Sequence, residues 1–252
     1  MKIEISYNNK KYRCDLNKPL DISIPLKNGN QNPNCFWADP VKIETIKVGD
    51  FVGSIEEGGN VNYKKLTITP HGNGTHTECY GHISADKEGL ITNCLTKFHV
   101  MAKLITLPIS KKSNDDQYIS FKSFKEKIGN DVPKAVVIRT FPNESDKNNR
   151  QYSGTNPPYL DAEITKFLCD MGVNHLLVDL PSVDREEDGG VLSAHKNFWD
   201  IDNIPKTSNT ITELIYVEDK IQDGIYLLNL QIPSISLDAV PSKPVLYKIE
   251  LI

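Results

Sequence analysis

Between residues 133 and 180 the chain reads strand, helix, strand, and no other feature constrains its fold as much. Pro133-Lys-Ala-Val-Val-Ile-Arg139 is a short apolar run of the kind that fills a strand buried on both faces. Tyr159–Met171 carries apolar residues at Leu160, Ile164, Phe167 and Leu168, a helical stripe, and Gly172 stands where a helix ends in the left-handed conformation. His175–Leu180 is a second buried-type strand. Strand, helix, strand in that order is a βαβ unit, which requires a parallel strand pair and a helix packed across it. The remaining segments add strands. Lys2–Tyr7 alternates, and Asp21-Ile-Ser-Ile-Pro-Leu26 ends at proline before a Lys27–Pro33 loop. Ile43–Ile46 and Val61–Ile68 follow, with Glu56–Asn60 as a hairpin turn before the second. Ile221–Ile232 and Pro244–Leu251 close the chain, and Asn143–Thr155 reads as a polar surface excursion. The expectation is a mixed α/β fold over residues 1–252, one domain without an interdomain linker.

Charge and cysteine usage narrow the function classes. A net charge of −4 argues against a nucleic-acid surface, because phosphate binding needs concentrated Lys and Arg. Lys122–Lys127 reads as a solvated face. The start, Met1-Lys-Ile-Glu-Ile-Ser, lacks the pattern of a secretory signal, and nothing approaches the ~18 apolar residues of a membrane span. Cys14, Cys35, Cys79, Cys94 and Cys169 are odd in number, widely spaced and free of any CxxC pair, which suits reduced thiols in cytoplasm.

The densest chemistry is His71-Gly-Asn-Gly-Thr-His-Thr-Glu-Cys-Tyr-Gly-His82, which holds three of the six histidines and a carboxylate. Imidazole and carboxylate together hold zinc, manganese or iron in hydrolytic sites. His76 and Glu78 leave the same face of a strand, whereas on a helix they diverge by roughly 200°. A straight strand would carry His82 about 20 Å beyond His76, so His82 joins a common site only if the chain bends, and Gly81 permits that. There is no G-x-S-x-G elbow, P-loop or dinucleotide fingerprint. His99 and His175 read as structural. Cys79 points away from a site on its strand by parity. Trp37 and Trp199 read as core or pocket walls, and Asp184–Asp188 as a solvated loop. Asp179 and Asp184 are either supports for a nearby histidine or simple caps and turns.

At these residues the chain resembles a family. Gly74-Thr-His76-x-Glu78-x3-His82 is similar to the His-x-Gly-Thr-His-x-Asp-x-Pro-x-His signature of the cyclase family of arylformamidase-like hydrolases. Asp21-Ile-Ser, Val178–Asp184 with Ala194-His195, and Ile211-Thr-Glu213 with the Leu227–Leu230 strand resemble its other segments. The resemblance implies a swivelling β/β/α-type mixed-sheet fold and a site for one or two divalent cations, zinc or manganese. His76 and Glu78 would be ligands, with Glu78 bridging where two ions bind. His195 and Glu213 would complete the second site, and His82 would be the acid/base. The implied reaction is hydrolysis of a small-molecule linear or cyclic amide, an N-formyl or lactam C–N bond, by a homodimer or homotetramer. The alternative is a non-catalytic metal or small-molecule binding protein on the same scaffold. Two departures stand out. Glu78 replaces the family's aspartate, and its first histidine falls at Gly72, so that His71 serves only if a one-residue bulge intervenes.

Overall fold

The computed structural model describes all 252 residues. Its centre is three successive βαβ units. The strands are β4 (His99–Pro108), β5 (Ala135–Phe141), β6 (His175–Val178) and β7 (Thr210–Glu213), and the helices between them are α2 (Phe121–Ile128), α3 (Ala162–Asp170) and α4 (Ser193–Trp199). The four strands lie side by side, all parallel, in chain order. Right-handed crossovers stepping in one direction put their helices on one face. Accordingly α2 packs on α3 and α3 on α4.

Antiparallel strands extend this core on both sides into an 11-stranded sheet. Beyond β4 come β8 (Gly224–Gln231), β10 (Lys243–Leu251), β2 (Lys10–Asp15) and β1 (Lys2–Tyr7), with Leu20–Asp21 also on β10. Beyond β7 come β3 (His76–Cys79) and β9 (Ala239–Pro241). The mixed α/β sheet expected from the sequence is therefore present. Its interior is one cluster of 38 buried apolar residues, with every residue from Ala135 to Ile138 fully enclosed.

Local chemistry sets the helix boundaries. Asp161 accepts from the Glu163 N–H as N-cap, so α3 starts later than its stripe, and Tyr159–Leu160 pairs instead with Tyr118–Ile119. Gly172, at φ +71°, ends the helix as expected.

Several expectations need correction. The strand at Asp21–Leu26 shrinks to two residues because the Ser23 N–H turns back on Asp21 Oδ1 (3.0 Å) and the Ile24 N–H reaches Thr75 Oγ1 (2.8 Å). Residues Glu56–Asn60 turn the chain between Phe51–Val52 and Lys64–Thr67, but the latter pairs with Lys42–Thr45. The Asn143–Thr155 excursion is not all surface. Lys147 is buried, donating to Asp179 Oδ2 (2.8 Å), Thr140 Oγ1 (2.8 Å) and Asn143 Oδ1 (3.1 Å), and Tyr152 is buried beside Cys35 and Leu214. Trp37 is 66% exposed and forms no part of the core, whereas Trp199 is fully enclosed.

His175 sits in the sheet, with Nδ1 on Thr210 Oγ1 at 2.9 Å, and burial pulls its pKa down to about 4. The unfolded side chain titrates near ~6.5. As pH falls from that value toward 4, the unfolded chain takes up a proton that the folded one refuses. Stability present above the window is thus lost on acidification, by at most about 3 kcal/mol. Denaturant titrations from pH 7 down to 4.5 should show this loss, with a flatter dependence for His175→Asn. Equal slopes would remove His175 as its cause.

Candidate metal centre

The centre lies at the carboxyl edge of the parallel strands, where α/β folds gather their ligand sites. β7 ends on Glu213, and antiparallel register sets His76 opposite it and Glu78 opposite Ile211. Alternation along β3 turns His76 and Glu78 to one face. His195 arrives from the first turn of α4, which Asp184 caps. Its Oδ1 accepts from the Ala194 N–H (2.8 Å), and its Oδ2 accepts from the His195 N–H (3.1 Å) and from ring Nδ1 (2.7 Å). Asp184 is therefore both cap and support, and not part of a solvated loop.

His71 and His82 arrive by turns rather than by strand. Pro70–Gly72 forms a tight 3-10 turn, so no β-bulge is needed to bring His71 into the group. A Cβ on Gly72 would stand 2.3 Å from the Ala38 Cβ, which is why glycine occupies this position. Tyr80–Ile83 is a second 3-10 turn that folds His82 back toward β3.

The distances converge. His71 Nδ1 lies 3.1 Å from Glu78 Oε2, His195 Nε2 3.1 Å from Glu78 Oε1, His76 Nε2 3.4 Å from Glu213 Oε2, and His82 Nε2 3.9 Å from Glu78 Oε2. All six sequence-nominated residues thus meet around the two glutamates. Ligand atoms of His71, His76 and Glu78 lie within 4.8 Å of one another, as do those of Glu78, His82 and His195.

The outer nitrogens reveal the orientation. A carbonyl or carboxylate oxygen only accepts, so the outer nitrogen of each ring, which faces one, donates; the inner nitrogens face Glu78 and Glu213 and would give up any proton there to a bound cation. His76 Nδ1 faces Gly74 O (2.9 Å), His195 Nδ1 faces Asp184, His71 Nε2 faces Asp238 Oδ2 (2.9 Å) and His82 Nδ1 faces the same oxygen (3.4 Å). Each imidazole then presents its other nitrogen inward, the arrangement by which proteins orient metal-ligating histidines. Two of the inward atoms, His76 Nε2 and Glu78 Oε2, are buried without any hydrogen-bond partner. Such groups are costly unless something satisfies them, and a divalent cation is the partner this donor set fits.

The carboxylates favour positive charge here, which protons on the rings supply when no cation does. Burial opposes charge on His71, yet Asp238 and Glu78 outweigh it and raise its pKa to about 10. Burial likewise opposes charge on His195, and Asp184 and Glu78 raise it to about 10. Burial pushes Glu78 up, but His82, His195 and His71 hold it well below the usual carboxylate range.

Asp238 is the residue that sequence reasoning missed. It stands alone before β9, and only the pairing of Ala239 with Glu78 brings it to the rim. His71 and His82 depress its pKa. Asp238→Asn should weaken metal binding or turnover by about 10–100-fold. Metal titration and initial rates on the purified variant, both unchanged, would make Asp238 a bystander.

Residues 20–185 match the family described as "Putative cyclase". The chain belongs to the cyclase family. Among curated proteins it is 27% identical over 230 residues to a kynurenine formamidase of Bacillus anthracis, covering 91% of this chain and 97% of that one. It is 28% identical over 192 residues to the kynurenine formamidase of Bacillus cytotoxicus, covering 76% and 82%. Among solved structures, one described as a novel cyclase superposes with a TM-score of 0.66 at 13% identity, over 93% of this chain and 90% of that one. Isatin hydrolase A from Labrenzia aggregata gives 0.63 at 13% identity, over 92% and 94%. No helix of this cyclase-family chain is long and apolar enough to cross a membrane.

Proposed function

We propose that the protein is a metal-dependent amidohydrolase that cleaves a linear or cyclic amide, an N-formyl or lactam C–N bond. One observation carries the reading: four imidazoles, each facing an oxygen with one nitrogen, aim the other at two buried carboxylates, and two of the inward atoms make no hydrogen bond. The kynurenine formamidase and isatin hydrolase relatives support the substrate class.

His76, Glu78, His195 and Glu213 would hold zinc or manganese, as one or two ions with Glu78 shared between them, and His71 would add a ligand at the rim. When bound there, the cation acidifies water and polarises the amide carbonyl. The chain's residues supply the rest. His82 is 32% exposed, whereas the His76, Glu78, His195 and Glu213 side chains are nearly enclosed, so His82 faces the side from which substrate comes. Its inward nitrogen takes the proton from water and returns it to the leaving nitrogen, while Asp238 holds the ring. Trp199, 5.3 Å from the His195 ring, backs that ligand from the core.

The protein would work as a homodimer or homotetramer. The Lys42–Thr67 arm supports this, because it leaves Val48, Ile55, Val61, Tyr63 and Leu66 at least half exposed. A solution mass equal to one chain would overturn it. Five unpaired cysteines fit a cytoplasmic location.

The test is elemental analysis combined with a panel of formanilides, lactams and esters, with His76→Ala as control. Stoichiometric metal with C–N hydrolysis above the control is expected. Metal without hydrolysis would favour a binding protein on this scaffold, and protein that takes up no metal after supplementation would sink both readings.

A further inference from the structure

The amino edge of the parallel strands, at the far end from the metal centre, carries chemistry that amide hydrolysis does not use. Each strand sends side chains there from its first residue or from just before it. Thr96 and Lys97 precede β4, Lys134 precedes β5, Asn174 and His175 lead into β6, and Ser208 precedes β7. With Cys94, the last residue of the short helix α1 (Ile91–Cys94), they line a cavity of about 290 Å³. All of these polar side chains can donate a hydrogen bond, and no carboxylate lines the cavity. In a chain of net charge −4, two lysines without an acid between them make a local positive site.

One of these side chains is built into the fold. His175 is 5% exposed, its Nδ1 meets Thr210 Oγ1 at 2.9 Å, and its Nε2 has no hydrogen-bond partner in the protein. Register and alternation put His175 and Thr210 together on the sheet face opposite Glu78 and Glu213. Burial lowers the His175 pKa, and no carboxylate stands near enough to oppose it. The ring is therefore neutral at pH 7, and when the Thr210 hydroxyl donates to Nδ1 it offers Nε2–H outward. Lys134 Nζ donates to Gly172 O (2.8 Å) and keeps two protons free. Ser208 Oγ accepts from Asn174 Nδ2 (3.4 Å) and keeps its own proton to give. Lys97 is exposed and forms no ion pair.

We propose that this cavity binds a phosphate group, carried by inorganic phosphate or by a small phosphate monoester. Lys97 and Lys134 bring the charge, and the His175 Nε2–H and the Ser208 hydroxyl take up phosphate oxygens. A carboxylate has only two oxygens for this many donors, whereas a phosphate group offers at least three and nearly twice the charge. The His175 ring is already fixed by the sheet, so binding costs it no rotamer freedom. The site shares no residue with the metal centre and does not rest on the hydrolase reading.

Equilibrium dialysis against radiolabelled inorganic phosphate at pH 7, with chloride holding the ionic strength constant, measures the affinity. Lys97→Gln combined with Lys134→Gln should weaken binding about tenfold or more, since each change removes a charge-assisted contact. Lys97→Gln alone, which breaks no hydrogen bond within the protein, should cause part of that loss. In parallel, the His175 ring signals in NMR, identified by their absence from His175→Asn, should move on addition of phosphate and not of chloride. Their titration midpoint should rise by about one to three pH units, because an anion beside the ring favours its protonated form. Glycerol 3-phosphate separates the two sources: tighter binding than inorganic phosphate assigns the site to a monoester, and equal or weaker binding assigns it to the free ion. Phosphate held as tightly by the double variant would lie elsewhere, at the metal centre or on other lysines, and would overturn the site. So would His175 signals that respond no more to phosphate than to chloride.

Discussion

His82→Ala is expected to lower turnover by on the order of 10²–10⁴-fold while leaving metal content near the wild-type level. The reason is positional. His82 stands at the rim, its inward nitrogen 3.9 Å from Glu78, whereas His195 and His71 each approach that carboxylate to 3.1 Å. Removing the ring takes away a proton carrier and leaves the inner carboxylates and imidazoles in place. Rates and elemental analysis on the same preparation decide between roles. If His82→Ala loses its metal, His82 is a ligand, and the acid/base role passes elsewhere.

Glu78→Gln has the larger effect. Glu78 is the hub of the cluster, within 3.1 Å of two imidazoles and within reach of a third. The amide keeps the shape, removes the charge, and turns N–H donors toward nitrogens that are meant to face a cation. Metal binding should fall below detection and turnover to the level of the metal-stripped wild type. A circular dichroism spectrum like the wild type's would show that the fold survives. Metal retained at wild-type stoichiometry in Glu78→Gln would show that the ions sit elsewhere. Glu78→Asp restores the family's residue but withdraws the carboxylate by one methylene. It should keep part of the metal and be partly active.

What was legible in the sequence follows from the range of the interactions. One unit of the parallel core, β5–α3–β6, was readable because hydrophobic period and capping are local, Gly172 ending α3 through its own dihedral preference. The flanking strands β4 and β7 and the helices α2 and α4 were not read. His76 and Glu78 were readable because two-residue spacing on a strand fixes a shared face. His71 was readable only through resemblance, since Pro70–Gly72 closes the gap by a 3-10 turn that spacing does not announce. Asp238 gave no signal at all. A lone aspartate far along the chain acquires meaning only when β9 pairs with β3. Lys147 misled for the complementary reason. A lysine in a polar stretch reads as solvated until its partner Asp179, a strand away, is known.

The position of β3 has a consequence for how the protein is made. This early segment is wedged between two late ones, β7 and β9, and its backbone pairs with no strand nearer in the chain. On the ribosome, His76 and Glu78 therefore emerge long before the strands that will flank them exist. The chelating residues stay unassembled until the segments carrying β7 and β9 have emerged, so the centre can be charged only after them.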